Sequence, residues 1–204
     1  MLNKRIYEGK SREELFEKMQ EELNLSLEEL YIEEEVMPGS LFKGQRYRLK
    51  VVTKEDVRSF IEAYVREFST LANIKIEYAL TEEDDFYKLE LNSENNPILI
   101  GREGKTLTYF QILLRQALLK NVGQVIHINV DIANYKEQKL KNLESQIEEI
   151  AKEVLSSKID AILDPMSSYE RRKVHTIIST MDHLKTESVG EGNERHIVIH
   201  YVEK

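Results

Sequence analysis

No cysteine occurs in the 204 residues of this chain. Disulfide staples and thiolate-bound metals are therefore excluded, which fits a reducing compartment. No apolar run approaches the roughly 20 residues that a bilayer-spanning helix requires, so no membrane insertion is expected. The opening stretch, Met1 to Glu8, leads into no apolar segment, and no signal peptide is expected. Positive charge is in deficit: 29 Lys and Arg stand against 37 Asp and Glu, a net charge of −8. Bulk attraction to polyanions is thereby excluded, because non-specific nucleic-acid affinity comes mainly from neutralised phosphates. Any such binding must use local basic patches. Catalytic signatures are missing too: there is no Walker loop, nucleophile elbow or zinc-protease motif. His127, His175, His183, His196 and His200 form no familiar metal pattern, and His196 and His200 stand too far apart on a strand for an easy ligand pair. No cofactor is expected, and no internal repeat or low-complexity tract is evident.

What remains is a chain with 41% apolar residues, enough for a core. Ser11 and Glu14 have capping-box spacing, with Leu15, Phe16, Met19 and Leu23 on one helical face. Ser26 and Glu29 repeat the spacing before the sequence turns strand-like, and Pro38-Gly39 marks a turn. Tyr47, Leu49 and Val51 alternate with Arg46, Arg48 and Lys50, which reads as a strand with one apolar and one basic face. The basic face reads most simply as a solvated edge, since lysine and arginine deter edge-to-edge pairing. Residues 55–131 read helix, strand, strand, helix, helix, strand, with Asp84-Asp85 in a polar turn. Residues 134–157 lack Gly and Pro, and Leu140, Leu143, Ile147, Ile150 and Val154 follow 3-4-3-4 spacing. Such a stripe suits either a helix packed on its own chain or a homodimer seam. Ala161 to Met166 reads as a helix end or turn, Ser167 to Leu184 as helix, and Ile197, Ile199 and Tyr201 as a final strand.

Two motifs carry chemistry. The first is Ile98-Leu99-Ile100-Gly101-Arg102-Glu103-Gly104-Lys105-Thr106-Leu107. Its two glycines let a sugar–phosphate backbone approach closely, and the loop opens into a helix N-terminus whose N–H groups favour phosphate. Arg102 and Lys105 add positive charge; Ile100 and Leu107 line or support a base groove. The second is Glu170-Arg171-Arg172-Lys173-Val174-His175, the most basic cluster in the chain. Arg171 and His175, four apart, share a helix face. Arginine offers a planar fork of donors to phosphate and a flat face to bases, and histidine can stack or donate.

These motifs, in this order, resemble the Jag family (also called KhpB), built of Jag-N, KH and Arg-x-x-x-His domains. The matching residues run from Ile100 to Leu107 with Gln111, then Asp131 and Tyr135. They continue through Asp164-Pro165-Met166, Glu170 to His175, Thr186, Ser188 and Gly190-Glu191-Gly192; Gly39 to Val52 matches the end of Jag-N more loosely. Two stretches depart from the family pattern. Glu103 is acidic between the glycines, and Lys136 and Lys139 stand where the family carries arginines. The resemblance implies an α+β protein of three small domains: a Jag-N-like α/β unit (1–54), a type II KH domain with αββααβ order (55–133), and an Arg-x-x-x-His domain (158–204), joined by a long helix (134–157). It further implies a cytoplasmic, non-catalytic protein that binds single-stranded RNA. Ile100, Gly101, Arg102, Glu103, Gly104, Lys105 and Leu107 would form one contact surface, and Arg171, Arg172 and His175 the other. Post-transcriptional control, a tie to cell-envelope growth and division, and a second, smaller KH protein as partner belong to the same resemblance. The competing expectation is an interaction or dimerisation scaffold of low RNA affinity. Residues 55–131 favour it, with 8 basic against 13 acidic residues.

Overall fold

The structure, a computed structural model, describes residues 2–38, 44–83 and 86–203. Gly39, where the Jag-N resemblance begins, and the Asp84-Asp85 turn lie outside the described residues. The chain is α+β and divides into two compact units, Met1–Ala133 and Asn134–Lys204.

The first unit opens with β1 (Arg5–Gly9), α1 (Arg12–Leu23), β2 (Leu30–Met37) and β3 (Arg46–Thr53). The strands form an antiparallel sheet of order β1-β3-β2. Ser11 accepts the Glu14 N–H to start α1, and Asn24 ends it in the left-handed region. Leu15 and Met19 then bury against Tyr7, Leu30, Leu49 and Val51. The basic row on β3 is not an edge, as expected from sequence, but the centre of the sheet. Register puts Arg48 opposite both Glu8 and Glu35, and Lys50 opposite Glu33. Arg48 reaches Glu8 at 2.6 Å, and Lys50 pairs with Glu33 and Glu35. Opposite charges directly across a ladder stabilise it, so the cations of this sheet are matched to its own acids.

β3 passes without a linker into α2 (Lys54–Ala72). Thr53 is the hinge residue of that junction: its Oγ1 accepts the Asp56 N–H at 3.0 Å, while Asp56 accepts the Thr53 N–H. Asp56 also takes Arg5 of β1 at 2.8 Å. The boundary expected at 54/55 therefore falls on a capping box inside one compact unit. Burial works against the Asp56 carboxylate, but hydrogen bonds from Thr53 and Arg5 outweigh it and hold its carboxyl below the ordinary range. A folded pKa depressed in this way gives stability that is present above about pH 4 and lost as pH falls through the folded value. Asp56→Asn is expected to lower the urea midpoint at neutral pH, with the gap to wild type shrinking as pH falls below about 4. A gap that stays constant as the solution is acidified would contradict the assignment.

The unit continues with β4 (Ile76–Glu83), β5 (Phe86–Ser93), α3 (Asn96–Ile100), α4 (Lys105–Val122) and β6 (His127–Ile132). β4 and β5 run antiparallel, β5 and β6 parallel, in the order β4-β5-β6. Val57, Ile61 and Val65 of α2 and Leu107, Phe110, Leu114 and Leu118 of α4 supply the buried faces of the two helices.

The second unit contains α5 (Tyr135–Ser157), β7 (Ala161–Ile162), α6 (Ser168–Ile178), β8 (Leu184–Val189) and β9 (His196–Tyr201). Its antiparallel sheet has the order β7-β9-β8. Ile147, Ala151 and Val154 of α5 join Leu163, Val174, Ile178, Leu184, Ile197 and Ile199 in one core, with Leu143 and Ile150 against it. Of the 3-4 stripe of α5, Ile147 and Val154 are thus buried within their own unit, while Leu140, Leu143 and Ile150 are half-buried. Two expectations are corrected here. Ala161 and Ile162 are a strand paired with Ile199 and Val198, not a helix end. The helix expected to reach Leu184 stops at Ile178, because Leu184–Val189 pairs along β9.

Candidate nucleic-acid interface

In the first unit, α3 ends where the Gly101 N–H reaches Pro97 O at 2.9 Å. Gly101 has φ +71° and ψ 177°, a combination open in practice to glycine alone. A Cβ there would sit 2.1 Å from Thr106 Oγ1 and 3.0 Å from its backbone nitrogen. One tight turn over Arg102–Gly104 follows, with Glu103 at φ +57° and Gly104 at φ +80°, and α4 begins at once. The result is bare backbone beside a helix N-terminus, flanked by Arg102 (90% exposed) and Lys105.

The structure separates the apolar residues picked from sequence. Leu107 is 2% exposed and lies in the core behind the loop, within the expectation that it line or support a groove. Ile100 is half-buried, and Ile98, 56% exposed, supplies the open apolar surface beside the loop. Glu103 lies between the two cations, 3.1 Å from Lys105 Nζ and 3.7 Å from Arg102 Nε. It occupies the charge that a phosphate would use. Gln111 and Asp131, matched by resemblance without a role, serve the edge of β6. Gln111 Oε1 accepts the Val130 N–H at 3.0 Å, and Asp131 Oδ1 accepts that of Ile132 at 2.9 Å. Arg115, which sequence reading passed over, donates twice to Ile128 O, at 3.2 and 2.7 Å.

In the second unit, Ser167 and Glu170 form a capping box that starts α6. Burial pushes the Glu170 carboxyl up, but Lys139 (2.8 Å) and Ser167 outweigh it and keep it below the usual range. Arg171 donates to Met166 O at 2.7 Å, and His175 Nδ1 shares a hydrogen bond with Thr186 Oγ1. The motif pair is thereby fixed in orientation from two different elements. Arg172 is exposed, whereas Lys173 is tied to Glu144 at 3.1 Å. Among the described residues, Arg171 and Arg172 make no ion pair, and no three His, Asp or Glu side chains converge as a metal site. No helix among them is long and apolar enough to cross a membrane.

The family model of the Arg-x-x-x-His domain, named for its arginine, three-residue gap and histidine, matches residues 141–201. An RNA-binding protein KhpB of Clostridium symbiosum is 30% identical over 154 residues, spanning 76% of this chain and 68% of that protein. The chain belongs to the KhpB family. The RNA-binding protein KhpB of Bacillus subtilis is 29% identical over 197 residues, 94% of this chain and 95% of its own length. That of Streptococcus pneumoniae D39 is 28% identical over 156 residues, and the match covers 74% of this chain and 47% of that protein. These KhpB relatives carry names that describe binding, not catalysis. The matched Arg-x-x-x-His stretch begins inside α5, whose Ile147, Ala151 and Val154 complete that unit's core.

Proposed function

We propose that this KhpB-family chain binds single-stranded RNA through two surfaces and catalyses nothing. Residues 55–133 are read as a type II KH domain that clamps the nucleic-acid backbone at Gly101–Gly104. Arg171, Arg172 and His175 hold a second stretch, and the strand-rich N-terminal part is the Jag-N-like portion. The observation that carries this reading is Gly101: a position closed to any side chain presents bare backbone at a helix N-terminus, beside Arg102 and Lys105. The family resemblance extends the proposal to a cytoplasmic post-transcriptional regulator tied to cell-envelope growth and division, acting with a smaller KH protein.

Fluorescence anisotropy with a randomised single-stranded RNA at two salt concentrations tests the core of it. Wild type is expected to bind, and binding should weaken steeply with salt. Arg102→Asp should lose most of that affinity. Glu103→Gln, which frees Arg102 and Lys105, should bind about two- to fivefold tighter, the scale of an exposed ion pair. No binding by wild type at low salt defeats the proposal. A second reading, a protein-interaction scaffold, draws support from α4, where Tyr109 and Leu113 are 62% and 60% exposed. It predicts association that barely responds to salt.

A further inference from the structure

We propose that β8 is a self-pairing edge: two copies of this chain join through it as an antiparallel pair centred on Thr186, forming one continuous sheet. In the second unit, the Tyr201 N–H goes to Asp160 Oδ1 at 3.0 Å and the Leu163 N–H to Ile197 O at 2.9 Å. The odd-numbered residues of β9 therefore turn their backbone groups toward β7. His196, Val198 and His200 turn theirs toward β8, where they stand opposite Val189, Glu187 and Lys185. Leu184, Thr186 and Ser188 are left with N–H and C=O groups pointing outward, and no second strand takes them among the described residues. Nothing in β8 blunts this rim: it has no proline and no bulge, and its register with β9 runs one to one from Leu184 to Val189. The opposite edge of the sheet, β7, is two residues long. On β6 side chains fill the rim, as Gln111 does at the Val130 N–H, whereas Thr186 and Ser188 turn theirs to His175 and Arg195.

Charge selects the partner and the register. An outward residue must face an outward residue, so antiparallel self-pairing can centre on Lys185, Thr186 or Glu187. Centring on Lys185 sets that lysine against its own copy, and centring on Glu187 sets two glutamates together. Like charges directly opposite destabilise a ladder. Centring on Thr186 instead puts Lys185 of each copy opposite Glu187 of the other, on the face of the sheet where both side chains are exposed. Thr186 then bonds its own copy through both backbone groups, and Leu184 bonds Ser188 on either side of it. Residues opposite each other point to one face of a sheet, so both copies present α6, with Arg171 and His175, on the same side. The pairing stands apart from the RNA-binding reading; where that reading holds, two Arg-x-x-x-His surfaces share one strand with the avidity of a linked pair.

Sedimentation equilibrium on the full chain without RNA, over a concentration series at low salt, tests the pairing. Wild type is expected to pass from monomer to dimer as concentration rises. Lys185→Glu and Glu187→Lys should each weaken the dimer about tenfold. The chain carrying both changes should regain it, because the opposed charges are merely exchanged. Thermal melts of dilute samples should leave all the variants folded as wild type is. Hydrogen exchange gives a second readout: the outward amides of Thr186 and Ser188 should slow as wild type is concentrated, while that of Glu187, already paired with β9, should not. A chain that stays monomeric to about 1 mM overturns the proposal. A dimer that both single reversals leave intact, or that the double exchange fails to restore, also overturns it and places the contact elsewhere. Each of these results leaves the RNA-binding reading standing.

Discussion

Gly101→Ala is expected to cost the first unit about 2–4 kcal/mol and to remove most RNA binding. Two penalties add at this residue. The backbone conformation alone excludes a β-carbon, at about 1–3 kcal/mol. The methyl would also fall within 2.1 Å of Thr106 Oγ1, inside the first turn of α4. Relief requires rotating the loop away from the helix N-terminus, which scatters the amides that a phosphate would meet. Gly44→Ala is the matched control: an added Cβ meets nothing within 4 Å there. That substitution should change stability by about 0.5 kcal/mol or less. Urea unfolding and anisotropy on the two variants give the comparison. A stable Gly101→Ala chain with intact RNA affinity would show that the loop geometry is incidental.

Ile147→Ala is expected to destabilise the second unit by about 2–5 kcal/mol, the range for emptying a closed aliphatic site. Ile147 is 1% exposed and sits in the same core as Val174, Ile178 and Ile199. The loss should be the same at every protein concentration, because the contacts that fill the site come from one chain. A denaturation midpoint that climbs with concentration in wild type, and stops climbing in Ile147→Ala, would instead identify α5 as a seam between copies.

Much of this was legible in the sequence for plain physical reasons. The glycine loop, α4 and α5 announce themselves because glycine spacing and apolar periodicity are local signals. Arg171 and His175 were legible as a pair because residues four apart fall about one helical turn from each other. The strands β7 and β8 of the second unit were not. Leu184–Val189 reads Leu-Lys-Thr-Glu-Ser-Val, with no apolar alternation, and it becomes a strand by pairing with β9 while Thr186 and Ser188 hold His175 and Arg195. Ala161 and Ile162 are too few to signal anything alone. β3 misled in another way. Its basic row looked like an open edge, since sequence cannot say that Glu33 and Glu35 of β2 will face it from one side and Glu8 of β1 from the other. Leu107 and Ile98 show the same limit at the loop: both are apolar, and only packing decides which is buried.

The outer rim of β6 bears on the kind of molecule this unit can receive. Three of its outward backbone groups, Ile128 O and the N–H groups of Val130 and Ile132, are already claimed by Arg115, Gln111 and Asp131. An extended peptide docks by zipping its own amides onto such a rim, and here it would have to evict three side chains first. Nucleotides carry no amide ladder and forfeit nothing by its closure. The same closure denies a foothold to strand-by-strand pairing on that side of the sheet.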